Sequence, residues 1–173
     1  MFSLTLSLAL SLAAGADPEK KPDTPTTPPK PHPLAPSLRA TTDDDEDKFD
    51  KIIDRFIQYD TGQLKGPEAK KALEDFMRLP PEAVFALIRG LNRAAAIDHS
   101  CPALVFAKRI GSQVRSSTDR ELIQFVRENA GAGVERSRHM NVIKDLRITA
   151  AQRLGALDNA KAPEIRQGPG GRP

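Results

Sequence analysis

Cysteine is nearly missing from this chain: Cys101 is the only one in 173 residues. A lone thiol excludes an intrachain disulfide framework and a cysteine-based zinc module. Tryptophan is absent and tyrosine occurs once, so no aromatic platform interleaves with the basic residues, and stacking on nucleic-acid bases is unsupported. Histidine occurs three times, at His32, His99 and His139. His139 sits among Arg136, Arg138 and Met140 with no second ligand at helical spacing, which argues against a metal site. There is no G-x-S-x-G, no glycine-rich phosphate loop after a strand and no H-E-x-x-H. These absences point away from an enzyme: no catalytic residue, no cofactor and no metal is expected.

What is present divides the chain by composition. Met1 to Ala16 carry no charge and end in Ala14-Gly15-Ala16 before Asp17. Small residues at both ends of that triplet suit a signal peptidase, and the run is shorter than the ~20 residues of a bilayer span. A signal peptide cut after Ala16 is expected, and with it export to the periplasm or outside; the alternative is an N-terminal membrane anchor. Residues 17–47 hold 4 Lys+Arg against 8 Asp+Glu and eight prolines between Pro18 and Pro36. Proline fixes φ and removes backbone donors, so this stretch reads as a disordered, acidic tether. Its last five residues, Asp43 to Asp47, lack the alternation and glycine of a calcium loop; carboxylates there suit a helix start.

Residues 48–157 carry 19 Lys+Arg against 13 Asp+Glu and 34 large apolar residues. Apolar spacing is 3 and 4: Phe49, Ile52, Ile53, Phe56; then Val84, Leu87, Ile88, Leu91; then Leu122, Phe125, Val126. Each set makes one stripe on an α-helix, and no segment alternates as a strand would. Breakers at Gly62, Gly66-Pro67, Pro80-Pro81, Pro102, Gly131 and Gly133 predict helices near 44–60, 67–79, 81–96, 101–115, 119–130 and 135–157. Ser100 reads as the cap of the fourth, and Thr118 with Glu121 as a capping box for the fifth. Residues 158–173, ending in a Gly- and Pro-rich run, read as a disordered tail.

The helices also echo one another. Val84, Phe85, Leu87, Ile88 and Arg89 return 38 positions later as Leu122, Ile123, Phe125, Val126 and Arg127. Ala107-Lys108-Arg109-Ile110-Gly111 returns 44 positions later as Ala151-Gln152-Arg153-Leu154-Gly155, with a weaker echo at Ala69-Lys70-Lys71-Ala72. Pro81 to Leu91 resembles the first helix of a HEAT repeat, and Leu146 to Gly155 resembles its second. The resemblance implies an all-α, right-handed α-solenoid of about three helical hairpins, and a protein-binding rather than catalytic role.

Two clusters invite chemistry. Asp98-His99-Ser100-Cys101 places a thiol at a helix start, where the dipole favours thiolate and His99 could act as base; the simpler reading is a capped turn with a free thiol at Cys101. Residues 102–157 hold 10 Lys+Arg against 5 Asp+Glu. Arg127, Arg136, Arg147 and Arg153 are candidates for one basic face that would attract an anionic polymer or a membrane surface. The expectation is an exported, non-catalytic helical-repeat module that binds a protein partner in the cell envelope. The alternative is an electrostatic binder of anionic envelope polymer or lipid; no nucleic acid is expected.

Overall fold

The computed structural model describes residues 30–97 and 101–161. Six α-helices form the body: α1 Asp43–Asp60, α2 Gly66–Met77, α3 Val84–Ala95, α4 Pro102–Ser116, α5 Arg120–Asn129 and α6 Met140–Lys161. A 3-10 turn, Pro81–Ala83, leads into α3. The all-α class expected from apolar spacing is the class observed. The acidic run is the first turn of α1, capped reciprocally by Thr42 and Asp45, which places negative charge where unpaired N–H groups gather. Bonding to the Thr42 backbone and hydroxyl holds the Asp45 carboxyl below its ordinary range.

The helices pair as hairpins: α1 with α2, α3 with α4, α5 with α6. α3 is buried nearly all round, so it is the central helix. Its exposed edge carries Arg89 and Arg93, which bridge Glu46, Asp50 and Asp54 along α1 at 2.6–3.0 Å. Gly90 lets the two helices approach, because a Cβ there would collide with Ile53 Cγ2. Phe56, Phe76 and Phe106 join α1, α2 and α4, with ring centroids 3.8 Å apart for the first two and 5.6 Å from each to Phe106. Each such ring taken out of water contributes roughly 1.5–3 kcal/mol.

The two junctions between hairpins are built differently. The first brings the backbones of α1 and α3 together, and the second those of α4 and α6. Across the first, α2 reaches α4 through Phe76 on Phe106. Across the second, α3 reaches α5 through Phe85 edge-on to Phe125, with centroids 5.4 Å apart. Successive hairpins are therefore not related by one repeated step, and this packing does not define the regular superhelix of a HEAT solenoid.

Residues 30–42 correct the tether expected over 17–47, and with it the expectation of no strands. Pro31–His32 (β1) and Ala35–Arg39 (β2) form an antiparallel hairpin with an irregular register, and α1 already starts at Asp43. The hairpin is held by the body. Ala35 is fully buried, His32 stacks on Phe85 at 4.2 Å, and Ser37 bonds to Asp119 across 82 residues of sequence. Proline is compatible with strands this short and at an edge. The signal-peptide reading of 1–16 and the rest of the tether lie outside the described residues.

Three helix ends also differ from expectation. The Thr118–Glu121 capping box does not form; Asp119 is the N-cap of α5 and makes no side-chain capping bond. Its carboxylate, buried at 8% exposure, accepts instead from the Ser37 hydroxyl and N–H. α6 begins at 140 rather than 135. Gly131, at φ +81, turns the chain against Ile143, where a Cβ would stand 2.6 Å from Cγ2. Ser137 then donates to Ala95 O at the end of α3, so 130–139 is a tied-down connection. At the other end α6 continues to Lys161, past the expected 157.

Candidate interaction surfaces

Two concavities lie on the described surface next to the repeated helices. The first, of about 260 Å³, is a groove between α4 and α6. Ala107, Gly111, Val142 and Leu146 form its apolar part, and Leu104 stands at its edge at 51% exposure. α6 lies close along Gly111: a Cβ there would stand in ordinary contact, 3.6 Å from Leu146 Cδ1 and 3.5 Å from Arg115 Nη1. Lys108 and Arg115 stand on the α4 rim without an ion-pair partner among the described residues, facing Asp145 and Thr149 on α6. The groove thus offers an apolar floor and a mostly cationic rim. In sequence its signal was the Ala107 and Gly111 pair, small residues four apart.

The second concavity, of about 410 Å³, opens between β2, the 3-10 turn and α4. Leu38, Leu79, Pro80 and Pro81 form its walls, and Arg109, Gln113 and several serines supply polar groups. Those groups are engaged within the fold. Arg109 donates to Phe76 O at 2.8 Å and to Leu79 O at 2.5 Å, lying over the Phe76 ring. Gln113 donates to Pro81 O, and the Ser116 hydroxyl to the carbonyls of its own helix. Desolvation holds the Arg109 guanidinium below its ordinary value. Arg109 therefore closes the end of α2.

The sequence-predicted basic residues divide by task. Arg153 donates through Nε to Ser117 O, the C-cap of α4, at 2.9 Å. Arg147 donates to Ala130 O, the C-cap of α5, at 2.8 Å. Cations at helix C-termini meet the negative end of the dipole and satisfy carbonyls that have no intrahelical donor. Arg127 is exposed and lines a depression with Arg120, Gln124, Leu154 and Asp158. Arg136 is exposed in the connection before α6. Arg109 and Arg153, 44 positions apart, perform the same act on successive second helices. The sequence echo is therefore an echo of contacts.

Cys101 is exposed at the N-cap of α4, its N–H donating to Asp60 Oδ2 at 3.1 Å. The N-cap is thus Cys101, with no side-chain capping bond, in place of the expected Ser100; Asp98, His99 and Ser100, which complete the predicted cluster, lie outside the described residues. His139 is half-buried. Among the described residues no three His, Cys, Asp or Glu side chains gather where a metal ion could be held, and no helix is long and apolar enough to cross a membrane.

Comparison of the chain with protein-family models, with curated proteins and with solved structures gives no match.

Proposed function

We propose that this chain is a non-catalytic helical module that binds another protein, and that the α4/α6 groove is where it does so. The observation that carries the reading is Leu104. It is a large apolar side chain half open to water, beside a floor of Ala107, Gly111, Val142 and Leu146. A partner segment with an apolar side chain for that floor and a carboxylate for Lys108 or Arg115 matches the groove in shape and charge. Export through the N-terminal segment belongs to the same proposal and would bring the module to partners of the cell envelope. The electrostatic alternative draws less support, because Arg147 and Arg153 close helix ends and leave Arg127 and Arg136 as its exposed members.

The test is site-specific photo-crosslinking from positions 104 and 108 in the native host, with position 70 on α2 as control. One dominant adduct from 104 and 108, absent from 70, is the expected result, and the adduct from 108 should be lost with Leu104→Glu. Equal labelling from all three positions would remove the reading.

A further inference from the structure

The larger concavity, between β2, the 3-10 turn and α4, carries an imbalance that the fold leaves unused. Arg109 is the one ionisable side chain on its lining. It is half-buried, and its bonds go to the carbonyls of Phe76 and Leu79; no carboxylate pairs with it among the described residues. A guanidinium has five N–H donors, so three remain after those two bonds. A half-buried cation without an anion, in a cavity of about 410 Å³, is a site short of one charge.

The hydrogen-bond count points the same way. The carbonyls at the cavity are already accepting: Pro81 O from Gln113, Ser112 O and Gln113 O from the Ser116 hydroxyl, and Ser117 O from Arg153. The carboxylate of Asp119 is not on the lining, and the Ser37 N–H and hydroxyl both donate to it. Donors are what is left. The Ser112 hydroxyl has no partner among the described residues. The Ser117 hydroxyl accepts from Asp119 N–H and keeps its own hydrogen. Gln113 uses one amide hydrogen on Pro81 O and keeps the other, together with its oxygen. Opposite these groups stand Leu38, Leu79, Pro80 and Pro81, and the two prolines offer no N–H.

We propose that this cavity binds the carboxyl end of a short apolar peptide. The carboxylate meets the remaining N–H groups of Arg109 with the Ser112 hydroxyl beside them, a charge-assisted contact. The terminal side chain lies against Leu38 and the prolines. The last peptide group meets the Gln113 amide, whose free donor and acceptor match a peptide N–H and C=O. A plain aliphatic acid would leave that amide unused, which is why a peptide end fits better than a fatty acid. The volume is in the range of small-ligand sites. The cavity uses a different face of α4 from the α4/α6 groove, so the two readings are independent.

Titration of the full chain with N-acetyl-alanyl-leucine, its C-terminal amide and hexanoate, followed by heteronuclear NMR, tests this. Saturable shifts at Leu38, Leu79 and Ser112 are expected with the dipeptide acid. The amide should bind about 10-fold or more weaker, the loss of a bond to a charged group, and hexanoate should also bind more weakly. Arg109 supports α2, so the test rests on two exposed or half-exposed neighbours instead. Gln113→Glu places a carboxylate beside Arg109, and Ser112→Phe fills the cavity. Each should weaken binding about 10-fold or more, with circular dichroism showing both folded. Leu104→Glu, on the other groove, should leave it unchanged. No saturation by about 10 mM dipeptide, equal binding of acid and amide, or shifts centred on Leu104 and Leu146 overturns the proposal. Binding indifferent to both α4 changes overturns it too, and hexanoate binding as tightly as the dipeptide overturns the peptide assignment.

Discussion

The second helices of the first and last hairpins, α2 and α6, derive from the same sequence pattern and end as opposites. α2 exposes Glu68, Lys70, Lys71 and Glu74, with Met77 at its last turn and Arg78 as its C-cap, and Lys70 pairs with Glu74 one turn on at 3.9 Å. α6 exposes the uncharged Ile148, Ala151, Gln152, Gly155 and Ala156 along its middle, and Lys144, Asp145 and Asp158 toward its ends. The exposed side of the first is mostly charged; the middle of the second is not. Their relation to the helix between them also differs. α2 is closed by Arg109 from α4, whereas α6 sends Arg153 to close α4. The difference teaches that the hairpin array is polar: one terminal helix receives, the other gives.

The comparison can be broken first at the aromatic seat of α2. Phe106→Ala removes the ring that Phe56 and Phe76 pack against and should cost about 3–5 kcal/mol in denaturant unfolding. A loss under about 1 kcal/mol would mean that α2 is held mainly from elsewhere. Glycines sharpen the contrast. Gly90→Ala forces a methyl into Ile53 of α1 and should destabilise by about 1–3 kcal/mol. Gly155→Ala, with open space around it, should leave monomer stability unchanged or raise it by up to about 1 kcal/mol through helix propensity. Equal losses at the two sites would show that α6 is covered.

Smaller effects test whether matching positions do matching work. Arg109→Met and Arg153→Met should each cost about 1–2 kcal/mol, since each leaves helix-end carbonyls without a donor. Unequal costs would separate the two contacts that the 44-residue echo equates. The smallest effect is at α1. The folded-state pKa of Asp45 is depressed, so its contribution is complete at neutral pH, above the ordinary carboxylate range. It is lost as pH falls through the lowered value. Amide exchange in residues 43–47, compared with a Thr42→Ala variant, should show the two chains converge in acid. A gap that persists into strong acid, once the carboxyl is protonated, would place the cap's strength outside the carboxylate.

Much of the fold was legible because helices announce themselves locally. Apolar steps of 3 and 4 with Gly and Pro between them locate all six within a few residues. What was hidden depends on distant partners. Nothing near Pro31 to Arg39 signals a hairpin; its anchors are Phe85 and Asp119, brought in by the body. At the start of α5 the cap falls on Asp119 and not on Thr118, and the hairpin takes up the Asp119 carboxylate through Ser37, a partner 82 residues away. The basic face was the hardest to read. Composition counts Arg147 and Arg153 with Arg127 and Arg136, yet only a structure separates a guanidinium on a carbonyl from one in water.

Asn92 of α3 gives a last consequence. Its amide donates to Asn129 O and its oxygen accepts from Gly131 N, so the turn that opens the third hairpin is clasped by the second. Ser137 makes a further tie to Ala95. That turn has part of its closure written 39 residues upstream. On a ribosome α3 emerges before α5, so the mould precedes the casting, and a chain started after α3 would carry the last two helices without the clasp that joins them.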